Sequence, residues 1–195
     1  MSTQAQPTID DLYAVPEKAE LVNGEIVLMS PTGRRPGYAG DEIAYSLRTY
    51  AKRTKRGVAV GDNKAFKVDL PHRESFSPDA AYYVGPDSGM KFFEGAPQFA
   101  VEVRSEGDYG PAAEQAISEK RADYFAAGTL VVWDVDLLSA DVVRVYRAAG
   151  PGTPAGLPAA GVPDPLAPQI FRRGETADAE PAVPGWSMPV DDLFE

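Results

Sequence analysis

The centre of the chain reads Phe99-Ala100-Val101-Glu102-Val103-Arg104, an apolar run that a carboxylate interrupts. Its residues alternate as they do in a β-strand, which predicts Phe99, Val101 and Val103 on one face and Glu102 with Arg104 on the other. A carboxylate inside so apolar a strand is costly to bury unless a cation or a hydrogen-bond donor meets it. Glu102 is therefore the first candidate for a functional residue.

A second carboxylate, Asp79, begins another predicted strand, residues 79–84, which lies earlier in the chain. The Gly- and Pro-rich residues 87–97 are long enough to return the chain, so the strand at 79–84 can pair with the one that holds Glu102. Two carboxylates on neighbouring strands repel each other unless a divalent cation lies between them. Mg²⁺ (or Mn²⁺) suits such a pair, because it takes one or two carboxylates together with water and phosphate oxygens.

A lysine follows on a predicted helix. Residues 114–127 are good helix formers, Gly128 is a typical stop, and Tyr124 lies one turn after Lys120 on the same side. A lysine in this place can orient an attacking water or neutralise charge on a phosphorus atom. Two acids, a lysine and Mg²⁺ are together typical of a phosphodiesterase.

Several motifs occur in an order that resembles the Uma2 (Uma-two) family, restriction endonuclease-like proteins of the PD-(D/E)XK nuclease superfamily. The resemblance covers nearly the whole chain, from residues 19–31 to Pro184–Phe194. Between these lie Ser77-Pro78-Asp79, Val101-Glu102-Val103-Arg104-Ser105, Lys120 with Tyr124, and Trp133-Asp134-Val135-Asp136. It implies a single α/β domain over residues 1–195, with the restriction-endonuclease-like fold: a mixed central β-sheet flanked by helices, and an additional β-hairpin near the N-terminus.

The resemblance also implies roles for individual residues. Asp79 and Glu102 become the two metal-binding acids, and the backbone carbonyl of Val103 joins them as a ligand. Lys120 becomes the lysine that the family places on the helix. Glu20 matches the acidic residue near the start that often joins such sites.

One position departs from the superfamily pattern. Two residues after Glu102, where the typical motif has lysine, the chain has Arg104, so Arg104 and Lys120 both compete for the cationic role. Asp134 and Asp136 are possible extra ligands, although a charge at the end of a strand is the favoured interpretation for both.

The remaining elements are predicted from local patterns. Thr8 caps a short helix, Asn23-Gly24 is the turn of a hairpin, and residues 30–37 form a loop before a helix that begins at Asp41 and stops at Gly57. Strands are expected at 58–60, 65–70, 129–135, 141–147 and 169–173. The Gly/Pro-rich residues 150–168 are interpreted as a mobile loop.

Composition excludes several kinds of chemistry. The chain has no cysteine and one histidine, which leaves no thiol nucleophile or Cys-based zinc site and makes a Ser-His-Asp triad improbable. The net charge of −10 argues against indiscriminate nucleic-acid binding. The stretch from Arg34 to Arg73 nevertheless holds ten basic and four acidic residues. DNA, if it docks, is expected to dock there.

No apolar run approaches the length of a membrane span, and residues 1–6 lack the apolar part of a signal peptide, so a cytoplasmic location is expected. The apolar C-terminal residues 186–194 are expected to pack onto the core and to offer a homodimer contact. The activity predicted at this stage is Mg²⁺-dependent hydrolysis of DNA phosphodiester bonds. The alternatives are a catalytically inactive module that binds nucleic acid or a protein partner, and a hydrolase of small phosphorylated substrates.

Overall fold

The computed structural model describes residues 6–148 and 167–194. Helix α1 (Ile9–Tyr13) begins at a capping box, as predicted. The Thr8 side chain accepts a hydrogen bond from the backbone N–H of Asp11, and the Asp11 carboxylate accepts one from the backbone N–H of Thr8 at 2.8 Å. This reciprocal pair satisfies two of the N–H groups that every helix start leaves open.

The predicted hairpin follows as strands β1 (Ala19–Val22) and β2 (Glu25–Leu28). Asn23 and Gly24 join them at φ values of +53° and +71°, the left-handed conformation that a tight two-residue turn requires. The hairpin places Glu20 in the buried arm and Glu25 at the exposed end of the other.

Helix α2 covers Arg34–Thr54 and so begins earlier than the predicted start at Asp41. Pro36 lies in its first turn, where the missing N–H has no partner to lose, and this is why the segment read as a loop is helical. The helix ends at Lys55, which adopts a left-handed conformation at φ +57°, rather than at the predicted stop, Gly57.

The central sheet has six strands in the order β11-β10-β9-β8-β6-β3. Among the residues that the structure describes, β8 and β9 form its one parallel pair, which helix α3 (Pro111–Ala126) connects, and the other four pairs are antiparallel. The sheet is therefore mixed, and the predicted pairing of the strands after Asp79 and around Glu102 is confirmed. Its strands are β3 (Val58–Gly61), β6 (Ala80–Tyr83), β8 (Phe99–Val103), β9 (Val131–Asp136), β10 (Val142–Arg147) and β11 (Gln169–Arg172).

The N-terminal hairpin belongs to a second sheet, with five strands in the order β2-β1-β5-β4-β7. The added strands are β4 (Phe66–Leu70), β5 (Arg73–Phe76) and β7 (Phe93–Glu94). Strand β7 lies inside the predicted return loop, residues 87–97. It was not predicted because a strand of two residues is too short to show an alternating pattern.

The central strands of the six-stranded sheet, β8 and β9, are buried on both faces. On one face Phe99, Val101 and Val103 pack with α2 and the C-terminal segment. On the other face Ala100 packs with the five-stranded sheet and with Tyr124 of α3. The predicted division of the central strand into two faces is confirmed.

The chain closes with strands β12 (Thr176–Asp178) and β13 (Ser187–Pro189) and a 3-10 helix over Val190–Leu193. Trp186 packs against Trp133 with ring centroids 5.2 Å apart, so the C-terminus is fixed to the core as predicted. The homodimer contact expected of this segment stays a prediction. The Gly/Pro-rich loop expected at 150–168 lies outside the described residues except for its last two positions. No helix in the described ranges is long and apolar enough to cross a bilayer.

Candidate active site

A cleft of about 800 Å³ opens where the ends of β6 and β8 meet the start of α2 and one side of α3. Its walls carry most of the sequence-predicted site. The predicted residues that line it are Asp79, Glu102, Val103, Arg104 and Lys120.

Asp79 is fixed at the edge of this cleft by backbone pairing. Its N–H donates to the carbonyl of Val101 at 3.0 Å, and its Oδ2 accepts the N–H of Val103 at 2.8 Å. The carboxylate therefore continues the β6–β8 ladder by one residue, and its other oxygen, Oδ1, faces the cleft, where Lys18 contacts it at 2.9 Å.

Glu102 reaches the same cleft from β8, and its side chain is 26% exposed. Its Oε1 accepts a hydrogen bond from the Tyr124 hydroxyl at 2.6 Å and lies 2.9 Å from Nζ of Lys120. Burial, which the Lys120 ammonium only partly offsets, and repulsion from Asp79 and Glu20 raise the pKa of Glu102 to about 6. The ionised form of Glu102 is therefore disfavoured first by burial and then by the neighbouring carboxylates.

Lys120 lies on α3 between two carboxylates. Its Nζ is 2.9 Å from Glu102 Oε1 and 3.0 Å from Glu20 Oε1. Burial opposes the charged form, but the two carboxylates outweigh it and raise the pKa of Lys120 above its ordinary value. The side chain is therefore an ammonium donor at neutral pH and does not act as a base.

Glu20 sits behind the cleft, with its side chain 4% exposed. Besides contacting Lys120, it accepts the N–H of Ser77 at 2.8 Å and pairs with Nη1 of Arg73 at 2.5 Å. Burial alone would raise the pKa of Glu20, but Lys120 and Arg73 lower it, so the carboxylate is ionised. The predicted acid near the start does join the site, as the partner that holds Lys120 from behind.

Arg104 lines the cleft wall, but carboxylates occupy its guanidinium. Its Nε and Nη2 pair with both oxygens of Asp134 at 2.6 and 2.7 Å, and Glu114 pairs with it from α3. These contacts leave Lys120 as the better placed of the two predicted cations. Asp134, one of the possible extra ligands, is engaged in this ion pair with Arg104.

Asp136, the other possible extra ligand, is fully buried. It accepts hydrogen bonds from Tyr109, from Ser139 and from the backbone of Leu138, and Arg144 contacts it at 3.2 Å. Burial opposes ionisation, yet these donors hold the pKa of Asp136 well below its usual range. Its role is to close the turn between β9 and β10, as the strand-end interpretation expected.

The sequence prediction missed Lys18. Its Nζ lies 2.9 Å from Asp79 Oδ1 and 2.6 Å from Oδ1 of Asp62, in the turn after β3. Lys18 precedes Glu20 by two positions, and the period of a strand puts both on one face. That spacing was the available signal.

The donor set fits a hard divalent cation. Asp79 and Glu102 supply carboxylate oxygens to one cleft, and their mutual repulsion is relieved by positive charge between them. Across residues 6–148 and 167–194, no three His, Asp or Glu side chains converge as a ready metal site. A cation here would therefore rely on two acids, with backbone oxygen, water or substrate as its other ligands.

The fold and the cleft together define the class of protein: a restriction-endonuclease-like nuclease fold. A crystal structure from Anabaena variabilis, described as that of "a putative nuclease belonging to DUF820", shares this fold with a TM-score of 0.70. The two chains are 16% identical, and the match covers 96% of this chain and 97% of that one. The chain belongs to the Uma2 family, described as "Putative restriction endonuclease", whose pattern matches residues 9–191. No curated protein matches the chain.

Proposed function

We propose that the protein is a metal-dependent nuclease that hydrolyses DNA phosphodiester bonds. The observation that carries this proposal is the convergence of Asp79, Glu102 and Lys120 on one open cleft, with Lys120 Nζ 2.9 Å from Glu102. The three side chains come from a strand edge, a strand interior and a helix.

In this proposal Asp79 and Glu102 hold Mg²⁺ or Mn²⁺, and the carbonyl of Val103, which also lines the cleft, completes the protein ligands. When bound, such an ion polarises a phosphoryl oxygen and lowers the pKa of a water molecule. Asp79 is rigid enough for the task, since its backbone N–H donates to Val101 and its carboxylate accepts the N–H of Val103, and both bonds hold it to β8.

Lys120 supplies the cation that this reaction needs beside the metal. Because Glu20 and Glu102 keep it charged and hold it from two sides, its ammonium can donate to an attacking water or to the phosphoryl oxygens. The Tyr124 ring stacks on Phe76 at 4.0 Å between centroids, and its hydroxyl fixes Glu102. The acid and the lysine are thereby preorganised before substrate arrives.

Phosphate recognition would draw on the start of α2. Thr32, Gly33 and Pro36 line the cleft, so the positive end of the helix dipole borders it. The 21 residues of α2 span about 30 Å, which puts Lys52 and Arg53 at the far end of the helix. Arg73 is buried against Glu20, so the expected DNA contact of the basic stretch does not include this residue.

A second candidate, a hydrolase of small phosphorylated substrates, is favoured by the shape and lining of the cleft. Its volume of about 800 Å³ is that of a small-molecule site, and Glu106 and Asp108 on its wall would repel an extended polyanion.

The test compares Asp79→Asn and Glu102→Gln with matched controls in exposed positions, Asp69→Asn and Glu25→Gln. Plasmid, single-stranded oligonucleotides and nucleotides are offered with Mg²⁺, with Mn²⁺ and with a chelator. We expect the first two variants to lose at least about 100-fold in metal-dependent turnover, since each removes a ligand of the ion. The controls should match the wild type. Undiminished activity in either site variant refutes the assignment, and turnover of nucleotides alone selects the second candidate.

A further inference from the structure

The Lys18 ammonium lines the cleft beside Asp79, one of the two proposed metal-binding acids. It contacts the cleft-facing oxygen of Asp79 at 2.9 Å, and its side chain is 14% exposed. The negative charge of Glu102 adds to that of Asp79 in favouring the charged form of this lysine. A residue outside the predicted site therefore supplies positive charge at one of the two acids.

Both oxygens of Asp79 are engaged in this arrangement. Oδ2 accepts the N–H of Val103, a bond that belongs to the continuation of the β-ladder. Oδ1 has the Lys18 contact, which a side-chain rotation can break without disturbing any strand. Of the two bonds, only the one to Lys18 can be given up cheaply to a metal ion.

Asp62 is a second ion-pair partner of Lys18. It lies 2.6 Å from the ammonium, in the turn after β3, and its side chain is 39% exposed. A lysine that leaves Asp79 can therefore stay paired with Asp62, so its charge need not be transferred to water without a partner.

We propose that Lys18 is a built-in competitor for the metal: it pairs with both Asp79 and Asp62 in the metal-free protein, and it leaves Asp79 and keeps only its contact with Asp62 when a divalent cation binds. This inference rests on the proposed function, because it needs a cation at Asp79 and Glu102. It adds a positioning residue that keeps the acid pair assembled before the metal arrives and weakens the affinity for metal in return.

The first experiment is calorimetric titration of Mn²⁺ into wild type, Lys18→Met and Lys18→Arg. Methionine keeps an unbranched side chain of nearly the same length without the charge. The Lys18→Met variant should bind Mn²⁺ about tenfold more tightly, since a charged hydrogen bond no longer has to be displaced. Arginine keeps the charge and should stay within about threefold of wild type, a difference of under 1 kcal/mol. Arg121→Gln removes a different positive charge from the cleft wall and controls for long-range electrostatics.

The second experiment needs no variant. Lysine acetylation in wild type, followed by mass spectrometry, should show Lys18 reacting faster when Mn²⁺ saturates the site. The exposed Lys52 should not change and serves as the internal reference.

The outcomes separate the inference from the function on which it rests. If wild type binds Mn²⁺ and Lys18→Met binds it no more tightly, or if Arg121→Gln tightens binding as much, the competitor role is refuted and the metal site stands. If neither wild type nor Lys18→Met binds Mn²⁺, both proposals fall. Unchanged Lys18 labelling in metal-saturated protein also refutes the displacement, whether or not the methionine variant folds.

Discussion

Replacing Glu20 with glutamine tests whether the carboxylate behind the cleft holds the site together. In the wild type this side chain is 4% exposed and meets Arg73, Lys120 and the backbone of Ser77. The substitution keeps the shape and one acceptor oxygen but leaves two buried cations short of a partner.

The magnitude follows from those contacts. Removing one partner of a buried ion pair costs about 3–5 kcal/mol, and we expect the lower end, about 3 kcal/mol, because the glutamine oxygen can still accept one bond. For a chain of this size each kcal/mol corresponds to about 2–4 °C, so Tm should fall by about 6–12 °C.

The effect should depend on pH with a definite sign. Because Lys120 and Arg73 lower the pKa of Glu20 in the folded protein, despite its burial, the carboxylate stabilises the fold above its unfolded pKa of 4.5. This stabilisation is lost as the pH falls through the lower folded value. The gap between wild type and Glu20→Gln should therefore be constant near neutrality and narrow below about pH 4.5.

Urea denaturation, followed by circular dichroism between pH 3 and pH 7, measures the loss in the free energy of unfolding and its dependence on pH. Glu25→Gln in the exposed arm of the same hairpin is the matched control and should stay within about 0.5 kcal/mol of wild type. A loss below about 1 kcal/mol for Glu20→Gln, or a gap that widens in acid, would refute the reasoning.

Two further predictions follow from the structure. Burial raises the pKa of Glu102 to about 6, so its ionised form is scarce in acid. Calorimetry should therefore show metal binding about tenfold weaker at pH 5 than at pH 7, and equal affinities at the two pH values would contradict this. Gly57→Ala would put a Cβ 2.4 Å from the Tyr82 ring at φ +63°, and we expect a loss of about 2–4 kcal/mol in urea denaturation. Gly89→Ala, at the same φ of +63° with open space around it, should lose only the cost of the backbone conformation, so equal losses would show that Tyr82 moves freely.

Local patterns were enough to predict the elements that carry the site. The alternation of Phe99 to Arg104 gave the correct faces of β8, and Asn23-Gly24 gave the hairpin turn. The helical spacing of Lys120 and Tyr124 correctly placed both on one side of α3, and the structure shows that this side meets Glu102. Each of these signals depends on residues within a few positions of one another.

What could not be predicted depends on pairing between distant parts of the chain. No local pattern shows that the hairpin pairs with β5 or that the two-residue strand β7 joins β4, so the second sheet was missed. The same holds for Arg104, whose partners Asp134 and Glu114 are 30 and 10 residues away. The sequence alone does not distinguish an arginine whose guanidinium faces substrate from one whose guanidinium pairs with an internal carboxylate.

Lys120 lies between a carboxylate of the five-stranded sheet and a carboxylate of the six-stranded sheet. The bonds that would aim the lysine at a phosphorus atom also fasten Glu20 of β1 to Glu102 of β8 through α3. If this protein lost cleavage, the same contacts would still stabilise its fold. Glu20, Glu102 and Lys120 therefore have a structural role that does not depend on the proposed catalytic one.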